Sequence, residues 1–297
     1  MKIDKFCSVF ETFNGGVPQG SWFGPFLFLV LINDLKTMVD LFKFIDDTTM
    51  LDTMPKPGMA LTHVSNARMQ LACNNLHDWS VSNNMNINIK KSCDMIFSLC
   101  DRNVMNVIDN VTVGDLTISR VTSYKLLGVI VQDNLKWSLH VNYICKCASK
   151  KLYLLKRLRR FDLCNSDLLH FYLTVIRPTL EYACPLWHYG LTKSDSDAIE
   201  HVQRRAMRII FGTTSSYNDI LQNFRILSTR RESLCINLFN SVLSSDNCLH
   251  HLLPPRRTIN NNFCITRSSH NNHNHNHNNN LVLTQLVSVI PLFCTTY

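Results

Sequence analysis

The chain has 297 residues, enough for one large domain or two ordinary ones, and its hydrophobic fraction of 45% is enough for a globular core. A formal net charge of +8 makes an acidic partner plausible, with nucleic acid the obvious class. No apolar run is long enough to span a bilayer, since the longest, Phe26 to Ile32, is far too short, and no apolar segment follows Met1-Lys2-Ile3-Asp4-Lys5 to make a signal peptide. The 12 cysteines are scattered without a C-x-x-C pair, and Cys145-Lys146-Cys147 is too tight for a usual zinc knuckle. Scattered thiols in a chain this long read as reduced, intracellular and mostly structural; nucleus and cytoplasm are not separated by any signal.

In chain order, residues 1–15 hold one loose strand candidate, Phe6 to Phe13. The glycine-rich stretch Gly16-Val17-Pro18-Gln19-Gly20-Ser21 leads to Gly24-Pro25, where proline fits the first turn of a helix. That helix is apolar nearly all round and is expected to be buried. Leu41 to Ile45 and Thr48 to Leu51 read as a hairpin turning at Asp46-Asp47. Adjacent carboxylates repel, and burying them is costly unless a cation neutralises them. Pro55-Lys56-Pro57-Gly58 breaks the chain before a long helix over 59–83.

Ile87, Ile89 and Met95 to Phe97 suggest strands around the turn Asn88-Ile89-Lys90-Lys91-Ser92. Short strand candidates follow over 104–118, and Tyr124 to Ile130 reads as a further strand. From about residue 138 the pattern turns helical. One stripe is Val141, Ile144, Ala148, Leu152, Leu155 and Leu158. Lys146, Lys150, Lys151, Lys156, Arg157, Arg159 and Arg160 occupy the other faces with no acid among residues 146–160. A second helix is expected after Ser166-Asp167 and ends near Arg177-Pro178, a third runs from Ser194-Asp195 to Gly212, and a fourth covers Glu232 to Val242. The stretch His270 to Asn280 is a low-complexity His/Asn tract, and Leu281 to Tyr297 is apolar without a clear period.

The loop at 16–21, Ile32-Asn33-Asp34-Leu35, and Phe44-Ile45-Asp46-Asp47-Thr48-Thr49, in this order and spacing, resemble the reverse transcriptase domain of non-LTR retrotransposons. Asn88 to Ser92 is similar to that family's N-x-x-K-T/S element, and Tyr124-Lys125-Leu126-Leu127-Gly128-Val129 to its Y-K-Y-L-G-V segment. The resemblance covers roughly residues 10–245. It implies an α+β fold: a partial polymerase palm of antiparallel sheet and packed helices over 1–137, a helical thumb and connection over 138–250, and a disordered tail over 251–297.

The resemblance also implies a chemistry. RNA-directed DNA polymerisation would join deoxynucleoside triphosphates to a DNA primer on an RNA template, using two Mg²⁺ ions held by Asp46 and Asp47. Lys91 would act as general acid toward the leaving pyrophosphate. Pro18, Gln19, Gly20 and Ser21 would face template and incoming base pair. Leu127 and Gly128 would grip the primer end, and Lys150, Lys151, Arg157 and Arg160 would pair with phosphates.

Two positions depart from the family: Trp22-Phe23 replaces a small or aliphatic pair, and Ile45 replaces alanine. The family's third metal-binding aspartate should precede the loop by several tens of residues, whereas only 15 residues precede Gly16. The expectation is therefore a truncated copy of impaired activity. The alternatives are a non-catalytic nucleic-acid-binding remnant and an unselected fragment.

Overall fold

The computed structural model describes residues 2–3, 6–7, 23–45, 47–55, 66–97, 108–212, 226–253, 282–289 and 292–294. The glycine-rich loop at 16–21, Asp46 and the His/Asn tract lie outside them. The fold mixes helix and strand, as the α+β reading expects. Two units make up the chain: residues 1–124 with 279–297, and residues 125–278.

The first unit opens with a small antiparallel pair, β1 (Lys2–Ile3) and β2 (Phe6–Cys7). Helix α1 (Phe23–Ile32) follows. Then come β3 (Asp40–Phe44), β4 (Asp47–Pro55), α2 (Ala67–Ser82), β5 (Met85–Ile87) and β6 (Cys93–Phe97). Three short strands, β7 (Thr112–Val113), β8 (Leu116–Thr117) and β9 (Ser119–Arg120), complete the forward run. The expected helix over 59–83 thus begins at Ala67, with 56–65 outside the described residues.

Contrary to its all-round apolar pattern, α1 is mostly exposed, and only Ile32 is buried. The core of this unit gathers instead on one face of α2. Met69, Ala72, Cys73 and Leu76, at helical spacing, pack with Leu35, Val39, Met50, Met85, Val113 and Ile118. Burial pushes the Cys73 thiol up to about 12, so it is an inert packing group.

The main sheet runs β3-β4-β12-β6-β9, where β12 is Val282–Val289, from the C-terminal stretch without a clear period. β12 pairs antiparallel with both β4 and β6, while β9 lies parallel to β6. A last strand, β13 (Leu292–Cys294), pairs with β5. The far edge is pinned by Arg120. Its Nε donates to Asp94 at 2.9 Å, and its Nη1 and Nη2 donate to the carbonyls of Ile108 and Asp109 at 2.7 Å each.

Next in the chain, β10 (Ser123–Leu126) and β11 (Val129–Gln132) form a two-stranded sheet. The single strand expected over 124–130 is broken because Leu127 and Gly128 both take positive φ, +45° and +88°, the pattern of a tight hairpin turn.

The second unit is helical: α3 (Ser138–Arg159), α4 (Asn165–Phe171), α5 (Arg177–Glu181), α6 (Cys184–Trp187), α7 (Lys193–Phe211) and α8 (Leu227–Val242). The helix expected to end near Arg177-Pro178 instead passes through a π turn, Tyr172–Ile176, and continues as α5. A wider turn there relieves the clash between the Pro178 ring and the carbonyl of Thr174. Thr192 caps α7 by accepting from Asp195 N at 3.1 Å. The core combines Val141, Ile144, Ala148, Leu152 and Leu155 of α3 with Trp187, Ile199, Val202, Ala206 and Ile210.

His140 is fully buried in this core, edge-on to Trp187 at 5.5 Å, and its Nδ1 accepts from Ile130 N at 3.3 Å. Burial holds its pKa below the ordinary imidazole value of 6.5, and burial with Arg231 does the same to His188. The unfolded chain therefore binds more protons than the folded one in this range, so stability falls as pH drops through about 6.5. The thermal midpoint of the whole chain should decline between about pH 7.5 and pH 6. His140→Gln should flatten that decline in part, leaving the share of His188; an unchanged slope would exclude His140 as a source.

Candidate catalytic hairpin and basic helix

β3 and β4 pair antiparallel with Phe44 opposite Asp47, so Asp47, expected in the turn, is the first paired residue of β4, and the hairpin expected here forms one residue earlier than the sequence reading placed it. Ile45 has φ +53°, in the left-handed region that costs a β-branched residue about 1–2 kcal/mol. Asp47 is half-buried, and the next residue, Thr48, is wholly buried.

One residue that sequence reasoning missed holds this hairpin. Lys43 Nζ donates to the carbonyls of Ile32 at 2.6 Å, Leu35 at 2.7 Å and Asn33 at 3.4 Å, at and just past the C-terminal end of α1. Its pKa is lowered by burial and raised in part by Asp34. Asp34 in turn accepts from Trp79 Nε1 of α2 at 2.9 Å. Ile32-Asn33-Asp34-Leu35 is thus a joint between α1, α2 and the hairpin. A lysine inside the apolar strand Leu41-Phe42-Lys43-Phe44 was the available clue.

The strand register relates Asp47 to Lys91. Ser288 of β12 lies opposite both Thr49 and Cys93. Asp47, on β4, and Lys91, in the turn before β6, each come two residues before that shared row, and the two strands run the same way, so both stand toward one end of the sheet. At about 4.8 Å per strand, two spacings put β4 and β6 about 10 Å apart there. Asn88 builds the turn that presents Lys91: its carbonyl accepts from Lys91 N at 3.1 Å and from Ser92 Oγ at 2.9 Å, and its Oδ1 accepts from Lys91 N at 3.2 Å.

The buried acids of the sheet are otherwise engaged, Asp94 by Arg120 and Asp52 by Arg68 at 3.4 Å. Among the described residues, no three His, Cys, Asp or Glu side chains gather as a metal site. No described helix is long and apolar enough to cross a membrane.

In the second unit, the Leu127-Gly128 turn rests on Tyr182. Its hydroxyl donates to the Leu127 carbonyl at 2.9 Å, and a Cβ on Gly128 would meet the Tyr182 ring at 3.2 Å. The cations of α3 divide. Lys151 Nζ turns inward to Val175 O at 3.0 Å and Thr179 Oγ1 at 2.6 Å, and Arg159 binds Asn165 Oδ1 at 2.7 Å. Lys146, Lys150, Arg157 and Arg160 are exposed. His201, Arg204, Arg205 and Arg208 are exposed on α7.

The chain is similar to the RNA-directed DNA polymerase from mobile element jockey of Drosophila melanogaster, at 24% identity over 220 residues, 71% of this chain and 23% of that protein. It is also similar to the probable RNA-directed DNA polymerase from transposon X-element of the same species, at 28% over 205 residues, 66% of this chain and 22% of that protein. The jockey polymerase of Drosophila funebris shares 24% over 207 residues. These similarities agree with the resemblance to non-LTR reverse transcriptases carried by the motifs. It spans less than a quarter of the length of these curated relatives. No family model and no solved structure matches it. Lys43→Met should lower the unfolding free energy by about 1–3 kcal/mol, because the charge-assisted hydrogen bonds to the segment just past α1 are lost. Denaturant unfolding of the whole chain measures this; an unchanged midpoint would refute the role given to Lys43.

Proposed function

We propose that the chain carries the carboxylate hairpin and nucleic-acid-gripping helices of an RNA-directed DNA polymerase, extending a DNA primer with deoxynucleoside triphosphates on an RNA template. In this reading the sheet unit is the palm portion, and the helices over 138–250 are thumb and connection. What supports this reading is the β3–β4 hairpin, whose second strand opens at Asp47, with Asp47 and Lys91 toward one end of the sheet, in a chain similar to such polymerases.

Adjacent carboxylates are hard oxygen donors, and Mg²⁺ asks a protein for only one or two of them because it keeps several waters and takes substrate phosphates as further ligands. The donor chemistry fits, with Asp46 and Asp47 as the holders. When bound, two such ions would activate the primer hydroxyl and stabilise charge on the triphosphate. Lys91 would give a proton to the departing pyrophosphate. Pro18, Gln19, Gly20 and Ser21 would line the template and incoming base pair, glycine permitting close backbone approach. Leu127 and Gly128 would meet the primer end. Lys150, Lys151, Arg157 and Arg160 are the phosphate contacts of this reading, with Lys151 the one that also bonds within its own unit.

A primer-extension assay on the whole chain with Mg²⁺ tests this: incorporation should depend on the metal and be abolished by Asp46→Ala. Incorporation that survives Asp46→Ala would refute the assignment.

A second reading, nucleic-acid binding without catalysis, is favoured by the engagement of Asp52 and Asp94 by arginines. It expects no incorporation, with RNA or DNA binding that weakens steeply with salt. That binding should be indifferent to Asp46→Ala and reduced by Lys150→Ala, Arg157→Ala and Arg160→Ala. Salt-independent binding would refute it.

A further inference from the structure

Lys146, Lys150, Tyr153, Arg157 and Arg160 share the solvent face of α3. At 3.6 residues per turn and 1.5 Å per residue they fall within about 80° of the circumference and extend over about 21 Å. The opposite side is the buried stripe Val141, Ile144, Ala148, Leu152 and Leu155. The helix contains no aspartate or glutamate.

Two ordinary explanations cover only part of this face. Cations in the last turn complement the helix dipole, which accounts for Arg157 but not for Lys146 and Lys150 in mid-helix. A solvated cationic face needs no aromatic ring, yet Tyr153 is 61% exposed in its centre. Cations that track a phosphate backbone, with a flat ring between them for a base to stack on, form the arrangement that binds unpaired strands. In a duplex the base faces are already covered by their neighbours, so an exposed tyrosine on a helix surface finds no partner there.

We propose that this face of α3 is a platform for single-stranded RNA or DNA. Tyr153 stacks on one unpaired base, Lys146 and Lys150 hold the phosphates on one side of it, and Arg157 and Arg160 hold those on the other. This rests on the reading of α3 as a nucleic-acid-facing helix and adds the substrate class and the stacking contact.

The test is fluorescence anisotropy of the whole chain with three labelled ligands at one low salt concentration: a short single strand, its duplex, and an abasic strand of equal length. The single strand should bind more tightly than the duplex. Tyr153→Ala should weaken the single strand about tenfold and leave the abasic strand unchanged, while Tyr153→Phe keeps the ring and the affinity. Lys150→Ala should weaken all three. Duplex binding tighter than single strand, or Tyr153→Ala equal to wild type on the single strand, overturns the platform while leaving nucleic-acid binding in place. No binding to any of the three overturns both.

Discussion

The ammonium of Lys43 must find acceptors, and it finds them in the Ile32 and Leu35 carbonyls, at and just past the end of α1. Most of the first unit's geometry follows from that pairing. It sets the end of α1 against β3, and Asp34, held by Trp79, adds α2 to the same joint. A hairpin by itself is marginal in water. This one is anchored on one side by the lysine and on the other by the pairing of β4 with β12, so its turn is carried by a supported element.

The helical unit uses the same device with the signs exchanged. Helix α8 begins at Leu227 with no side-chain cap from Ile226. Glu200 of α7 supplies one, accepting from Leu227 N at 3.3 Å and Ser228 N at 2.7 Å. Burial raises the pKa of this carboxyl, opposed by the Ser228 amide and by Arg231. Arg231 is itself fully buried, donating to Ser196 Oγ at 3.2 Å with Glu200 at 3.9 Å. Arg230 takes both carboxylate oxygens of Glu181, at 2.7 and 3.1 Å. These two arginines are tie-points between helices.

These ties mark the limit of what the sequence could tell. Periodicity located α3 and its buried stripe, and turn chemistry located the β3–β4 hairpin to within a residue, because both depend on residues close in the chain. The destination of a long cationic side chain depends on which distant carbonyl or carboxylate packs within its reach, and no local pattern records it. Lys150 and Lys151 are neighbours, yet one is exposed and the other bonds Val175 and Thr179. The role of β12 was invisible for a related reason. Leu281 to Tyr297 offered no period to read, and the pairing of β12 with β4 and β6 depends on residues distant in the chain.

Ile45 connects the sequence oddity to the structural one. The family resemblance has alanine before the aspartate pair, where this chain carries a β-branched residue at φ +53°. Glycine or asparagine would take that conformation more easily. The hairpin tolerates the strain because Lys43 and β12 fix the strands on either side, so the turn between them has little freedom to relax. Asp47, the first residue of β4, is followed by the wholly buried Thr48, so it is carried on a strand that is fixed on both sides rather than on a free loop.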